Sequence, residues 1–162
     1  MTRATFPILG LMLLAGCTAA PHTLTISNDP VVVTTPASLT MAGGRAYWVH
    51  DSLVIELRAI GTSCVAPTPS DGTVLVSITI PRATAAAGTE APVQSNILSA
   101  DDVDVGVTEF ASGSSHAWLL GMGTLRVDAV DGTHVVGGVV AVGGGDEPTV
   151  NGTFNVPVCA SP

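Results

Sequence analysis

The chain predicts an all-β domain, a two-sheet antiparallel sandwich of about eight to ten short strands. Three observations carry this expectation. Valine and threonine supply 22 and 19 of the 162 residues, and both are β-branched types suited to a pleated surface. Glycine and proline add 18 and 11, enough to punctuate the chain with turns. Alternating apolar runs recur at roughly 8–12-residue spacing, while the Ala/Glu/Lys/Leu-rich periodic segments of bundles and coiled coils are missing.

Val31-Val32-Val33-Thr34-Thr35 is the first strand, stopped by Pro36. Residues 45–50 and 53–60 form a hairpin around His50-Asp51-Ser52, since Val54/Glu56/Arg58 alternate with Leu53/Ile55/Leu57. Residues 61–72 hold Cys64, Pro67, Pro69 and Gly72 and form a loop. Val74 to Ile80 is the clearest strand, with Val74, Val76, Ile78 and Ile80 on one face and Pro81 at its end. Residues 82–92 read as a loop of small residues, followed by weaker strands near 93–99 and 103–110 and another over 116–120. Thr124 to Val130 alternates, and Asp131-Gly132 predicts a type I′ turn into a return strand over 135–142. Gly137-Gly138 within that strand predicts a bulge or a close backbone approach. Gly143-Gly144-Gly145-Asp146 is a turn, and residues 149–159 are the last strand. Thr153, Asn155 and Val150 are expected opposite Phe154, Val156 and Val158. With 4% aromatic residues, the core is expected to be Val/Ile/Leu, filled out by Trp48 and Trp118.

A net charge of −8 excludes nucleic acid as a partner, because phosphate binding needs a basic surface. An apolar content of 46% excludes a disordered chain. The size fits one folded domain, expected over residues 31–162.

The N-terminus reads as an address. Arg3 supplies a positive start, and residues 6–14 are a short apolar run, the layout of a signal peptide over residues 1–16. Nine apolar residues are too few to span the roughly 30 Å of a bilayer core. Leu14-Ala15-Gly16-Cys17 follows, and this resembles the lipobox of bacterial lipoproteins. The resemblance implies cleavage between Gly16 and Cys17 and a diacylglycerol on the Cys17 thiol. A thiolate is nucleophilic enough to accept that lipid, and two or three acyl chains at about 0.8 kcal/mol per buried CH₂ anchor a protein stably. Residue 18 is Thr, not the Asp that retains lipoproteins in the inner membrane. The resemblance therefore implies a lipid-anchored envelope protein delivered to the outer membrane, facing either the periplasm or the exterior. Residues 17–30 are then a lipidated terminus and flexible tether.

Setting aside Cys17 leaves Cys64 and Cys159. An even remainder in an oxidising compartment predicts one disulfide. The ending Val150-Asn151-Gly152-Thr153-Phe154, with Cys159 five residues on, also resembles that of small β-sandwich lipoproteins of bacteria that have no assigned activity. That resemblance implies the same fold and the same Cys64–Cys159 pair.

Candidate chemistry is sparse. Ser112, Ser114, Ser115 and His116 lie together, but the G-x-S-x-G elbow of a serine hydrolase is missing, and the stretch also reads as a polar turn before a strand. His50-Asp51 has the residue types of an oriented imidazole and equally those of a hairpin turn; His134 beside Asp131-Gly132 reads the same way. Asp101, Asp102 and Asp104, with Glu109 nearby, are the sharpest acidic cluster. Ca²⁺ wants six to eight hard oxygens, and the alternative is a solvated, charge-guarded strand edge. Gly143-Gly144-Gly145 is no phosphate loop, since neither a lysine nor a helix follows, and no cofactor is expected. The sequence thus points to a non-catalytic binding or structural module offering a loop or edge strand to a protein or glycan partner. A small secreted hydrolase using His116 or His50 is one alternative, and a calcium-dependent adhesion or carbohydrate-binding module is another.

Overall fold

The computed structural model describes residues 24–34, 38–61, 64–65, 68–94 and 102–161. Cys17, the signal segment and Asp101 lie outside these residues. The described chain is all strand and turn, with eleven strands in two antiparallel sheets. In chain order they are β1 (Val32–Thr34), β2 (Ser38–Thr40), β3 (Gly43–Val49), β4 (Ser52–Arg58), β5 (Val74–Pro81), β6 (Thr89–Gln94), β7 (Asp104–Ala111), β8 (Ser114–Leu120), β9 (Met122–Val130), β10 (His134–Val142) and β11 (Thr149–Pro157). One sheet runs β2-β1-β11-β10-β9-β6 and the other β3-β4-β5-β7-β8. The predicted β-sandwich is the observed architecture.

The core is built by period two. Leu53, Ile55 and Leu57 of β4, Val76, Ile78 and Ile80 of β5, and Val105 and Val107 of β7 point inward from the five-stranded sheet and are buried. Val33, Leu125, Val127, Val135, Val139, Val150, Phe154 and Val156 face them from the other sheet. Removing this apolar surface from water is the main favourable term, about 25 cal/mol per Å² of apolar area.

Several expectations are corrected. Among the described residues there are eleven strands where eight to ten were expected, partly because the three-residue β2 follows so closely on β1. β6 begins at Thr89, inside the predicted 82–92 loop, and tolerates Pro92 because it is an edge strand. Val150 is fully buried with Phe154 and Val156, as even spacing along a strand requires. Trp48 and Trp118 border the core and do not fill it; both are only partly buried.

Asp131-Gly132 does not make a type I′ turn, because Gly132 lacks the positive φ that turn needs. Instead Asp131 Oδ1 accepts from Thr133 N at 2.6 Å, Thr133 Oγ1 at 2.6 Å and His134 N at 2.7 Å. The turn with two positive φ values lies between β7 and β8, at Ser112 (53°) and Gly113 (75°). The expected irregularity in β10 is present: the register with β9 shifts between Val136 and Gly137. A Cβ on Gly137 would also lie 2.9 Å from Phe154 Cζ, so side-chain-free backbone is needed where that ring packs.

The chain ahead of β1 is pinned to the six-stranded sheet. Ser27 N donates to Asn151 Oδ1 (2.8 Å), Asn151 Nδ2 donates to Thr25 O (3.2 Å), and Thr153 N donates to Asp29 O (2.7 Å).

Candidate functional site

β4 ends at Arg58 and β5 starts at Val74. The connection between them returns to the end of the sheet and is held there. Gly72 N donates to Phe110 O (2.7 Å), Phe110 N to Thr73 O (2.9 Å), and Gly113 N to Asp71 Oδ1 (3.2 Å). Further back, Cys64 is disulfide-bonded to Cys159, with Cα atoms 5.4 Å apart and a separation of 95 positions in sequence. The predicted pair is thus formed, and it ties the β4–β5 connection to the C-terminal tail.

Between this connection and the sheet lies a cleft of about 690 Å³. Its apolar lining includes Leu39, Ile60, Val65, Pro69, Leu75 and Phe110. Ile60 is 87% exposed and Val65 75%. These two exposed apolar side chains thus share one concavity, an arrangement distinct from the singly scattered apolar residues of an ordinary surface. Arg58 is the only cation among the described lining residues, and Asp71 stands at the rim.

Arg58 belongs to a polar cluster on the outward face of β3 and β4. Glu56 Oε2 accepts from Arg45 Nε at 2.7 Å and Arg58 Nη2 at 2.5 Å, and Glu56 Oε1 accepts from Tyr47 Oη at 2.9 Å. Arg45 also donates Nη1 to Cys64 O at 3.2 Å and lies over the Tyr47 ring, 4.9 Å from its centroid. The Arg45 and Arg58 side chains are only 8% and 11% exposed and Glu56 14%. Burial alone would raise the Glu56 carboxyl, but the donors Arg45 and Tyr47 and the charges of Arg45 and Arg58 outweigh it and hold it below the ordinary carboxylate value. The Tyr47 hydroxyl is raised by burial first and by its bond to Glu56 second. Two guanidiniums on one carboxylate leave the cluster a net positive charge beneath the apolar wall of the cleft, with Asp71 as the carboxylate at the rim.

This cluster is absent from the sequence-derived candidates, although a signal exists. The β3–β4 hairpin turns on two residues, His50 and Asp51, which sets Arg45 opposite Glu56 and Tyr47 opposite Val54. Once the turn length is known, register alone brings the charges together.

The predicted site residues are scattered. His50 sits in the β3–β4 turn at φ 51°, its carbonyl accepting from Arg82 Nη2 at 3.4 Å. Asp51 pairs with Arg82 at 3.4 Å in solvent, and Arg82 lies 4.5 Å over Trp48. Ser112 is in the β7–β8 turn, and Ser114 Oγ donates to Ala111 O at 2.8 Å. Ser115 and His116 are neighbours on β8 and so face opposite ways. The His116 ring meets Trp118, with centroids 4.3 Å apart, and among the described residues no hydrogen bond joins it to a serine. His134 Nδ1 lies 3.2 Å from Thr133 Oγ1. Glu147 Oε2 accepts from Gly144 N at 2.7 Å within the glycine-rich turn.

Asp104 opens β7, and its Oδ1 is buried without a hydrogen-bond partner. Burial first, then the charge of Asp102, raises its carboxyl above the usual range. Among the described residues no group of three or more His, Cys, Asp or Glu is placed to hold a metal ion.

No protein-family model, curated protein or solved structure matches the chain.

Proposed function

We propose that this chain is an envelope lipoprotein, cleaved between Gly16 and Cys17 and anchored through lipid on Cys17, whose β-sandwich is a non-catalytic binding module with its ligand site in the β4–β5 cleft. The lipobox Leu14-Ala15-Gly16-Cys17 supports the anchor, and Thr18 supports outer-membrane delivery. The observation that carries the binding reading is the exposure of Ile60 and Val65 on the wall of one apolar cleft. Each gains about 1.5–3 kcal/mol when fully covered, so the cleft gains most from an apolar occupant. Phe110 is the only aromatic residue among the described lining residues. An apolar stretch of a protein partner therefore fits better than a glycan, whose sugar faces would need stacking rings.

The cleft is tested with the fluorescent apolar anion 8-anilino-1-naphthalenesulfonate, whose rings match the walls and whose sulfonate matches Arg58. The folded protein is expected to enhance its emission saturably. The double variant Ile60→Asp/Val65→Asp is expected to weaken binding at least about tenfold, or roughly 1.4 kcal/mol, with the melting temperature unchanged. Equal binding by the variant contradicts the assignment of the cleft. The anchor is tested separately: globomycin, which blocks the lipoprotein signal peptidase, is expected to leave a precursor that still carries residues 1–16. Normal processing in its presence contradicts the lipid anchor.

A further inference from the structure

The two sheets have four edges, and three of them are closed to further pairing. β2 is only three residues long. β6 carries Pro92, which has no N–H to give, and Glu90. β3 is covered by the C-terminal tail: Val158 bridges Ala46, Cys159 N donates to Ala46 O at 2.7 Å, and Ser161 Oγ donates to Trp48 O at 2.5 Å. The Cys64–Cys159 bond fastens that cover in place.

β8 has none of these protections. It runs seven residues in unbroken register with β7, from Leu120 opposite Val105 to Ser114 opposite Ala111. It contains no proline, no glycine and no carboxylate, lysine or arginine. Residues 114–117 are exposed, and so is Leu119 at 40%. Among the described residues no strand pairs with its outer edge. A long, uncharged, regular edge is a template for strand addition.

We propose that β8 pairs antiparallel with β8 of a second copy of this chain, about a two-fold axis at Ala117, joining two five-stranded sheets into one of ten. Charge selects this occupant. Both copies carry far more carboxylates than cations, so most of their faces set carboxylate against carboxylate, whereas the β8 edge brings none into register. Pairing about Ala117 sets Ser115 across from Leu119 and His116 across from Trp118, and each pairing occurs twice, as a two-fold interface requires. The His116–Trp118 combination already forms a ring contact within one chain. The proposal rests on the sheet edge alone and is independent of the cleft.

The test is register-specific disulfide trapping in the full-length protein in its own membrane. Directly opposed residues of an antiparallel pair have Cβ atoms about 4.5–5.5 Å apart, within reach of a disulfide after small adjustment. Ala117→Cys is expected to give a covalent dimer on non-reducing gels. Ser115→Cys, about 13 Å from its own symmetry mate at 3.3 Å per residue, is expected to give at least about fivefold less. Coexpressed Ser115→Cys and Leu119→Cys chains are expected to restore the dimer as a mixed pair. Equal trapping at Ala117 and Ser115, or no trapping at Ala117 in a variant that retains its native melting temperature, overturns the proposal. If Ala117→Cys fails to fold, the mixed pair alone decides: its absence, with both single variants folded, overturns the proposal equally.

Discussion

Glu56 takes three side-chain donors, from Arg45, Tyr47 and Arg58, and the cluster is nearly closed to water. Removing a shared partner from buried charges is costly, because those left behind lose their compensation. Glu56→Ala is therefore expected to lower unfolding free energy by about 3 kcal/mol, measured by chemical denaturation. The solvent pair of Arg82 and Asp51 behaves oppositely: an exposed ion pair contributes little, and Asp51→Ala is expected to leave the denaturation midpoint where it was. Asp104 carries the reverse sign. Its raised carboxyl means that the folded state favours the protonated form, so its stabilising contribution is full below the ordinary aspartate value of about 3.9 and is lost as pH rises through the raised value. At neutral pH the carboxylate opposes folding. Asp104→Asn is expected to raise the melting temperature at pH 7, with the gain fading as the pH is lowered below that ordinary value; a gain independent of pH contradicts this cause. Asp131 is lowered to about 2, first by its bond to the Thr133 hydroxyl and then by the His134 and Thr133 amides. Its contribution is present above the ordinary aspartate value and is lost as pH falls toward about 2.

At the scale of elements, the disulfide joins the lip of the cleft to the tail that covers β3. Closing so long a loop removes roughly 4–5 kcal/mol of chain entropy from the unfolded state in the loop-closure model. The double variant Cys64→Ala/Cys159→Ala is expected to lose about 2–5 kcal/mol of stability, read from denaturation midpoints. It is also expected to make amides at Ala46 and Trp48 exchange faster as the tail loosens; unchanged exchange there contradicts the covering role. Strands that alternate over six or more residues were legible in the sequence, because period two determines both strand and face: β4, β5 and β9 stand where expected. The turns were less legible. The Asp131 turn is closed by side-chain bonds that mimic a backbone turn, and a dipeptide rule does not see these. The cation cluster beneath the cleft depends on cross-strand register, which composition does not carry. Cys64 and Cys159 were readable as a pair by parity, but the cleft that their bond flanks was not, because it arises only where the β4–β5 connection folds back on the sheet end.

At the scale of the whole molecule, two surfaces differ in what they offer. The cleft presents apolar side chains over a buried positive charge, and β8 presents backbone. The segment ahead of β1 is fastened along β11, and under the proposed anchor an acidic domain is held away from anionic headgroups. In the proposed lipoprotein the link from the lipid therefore meets the domain at Thr25 and not at the first strand. The measurement that tests the account most directly is the intact mass of the protein extracted from membranes of its own cells. The account predicts residues 17–162 carrying a diacylglyceryl group on Cys17, with or without a further acyl chain on its amine, and two fewer hydrogens for the Cys64–Cys159 bond. A chain that begins elsewhere, or one with an unmodified Cys17 thiol, would contradict it.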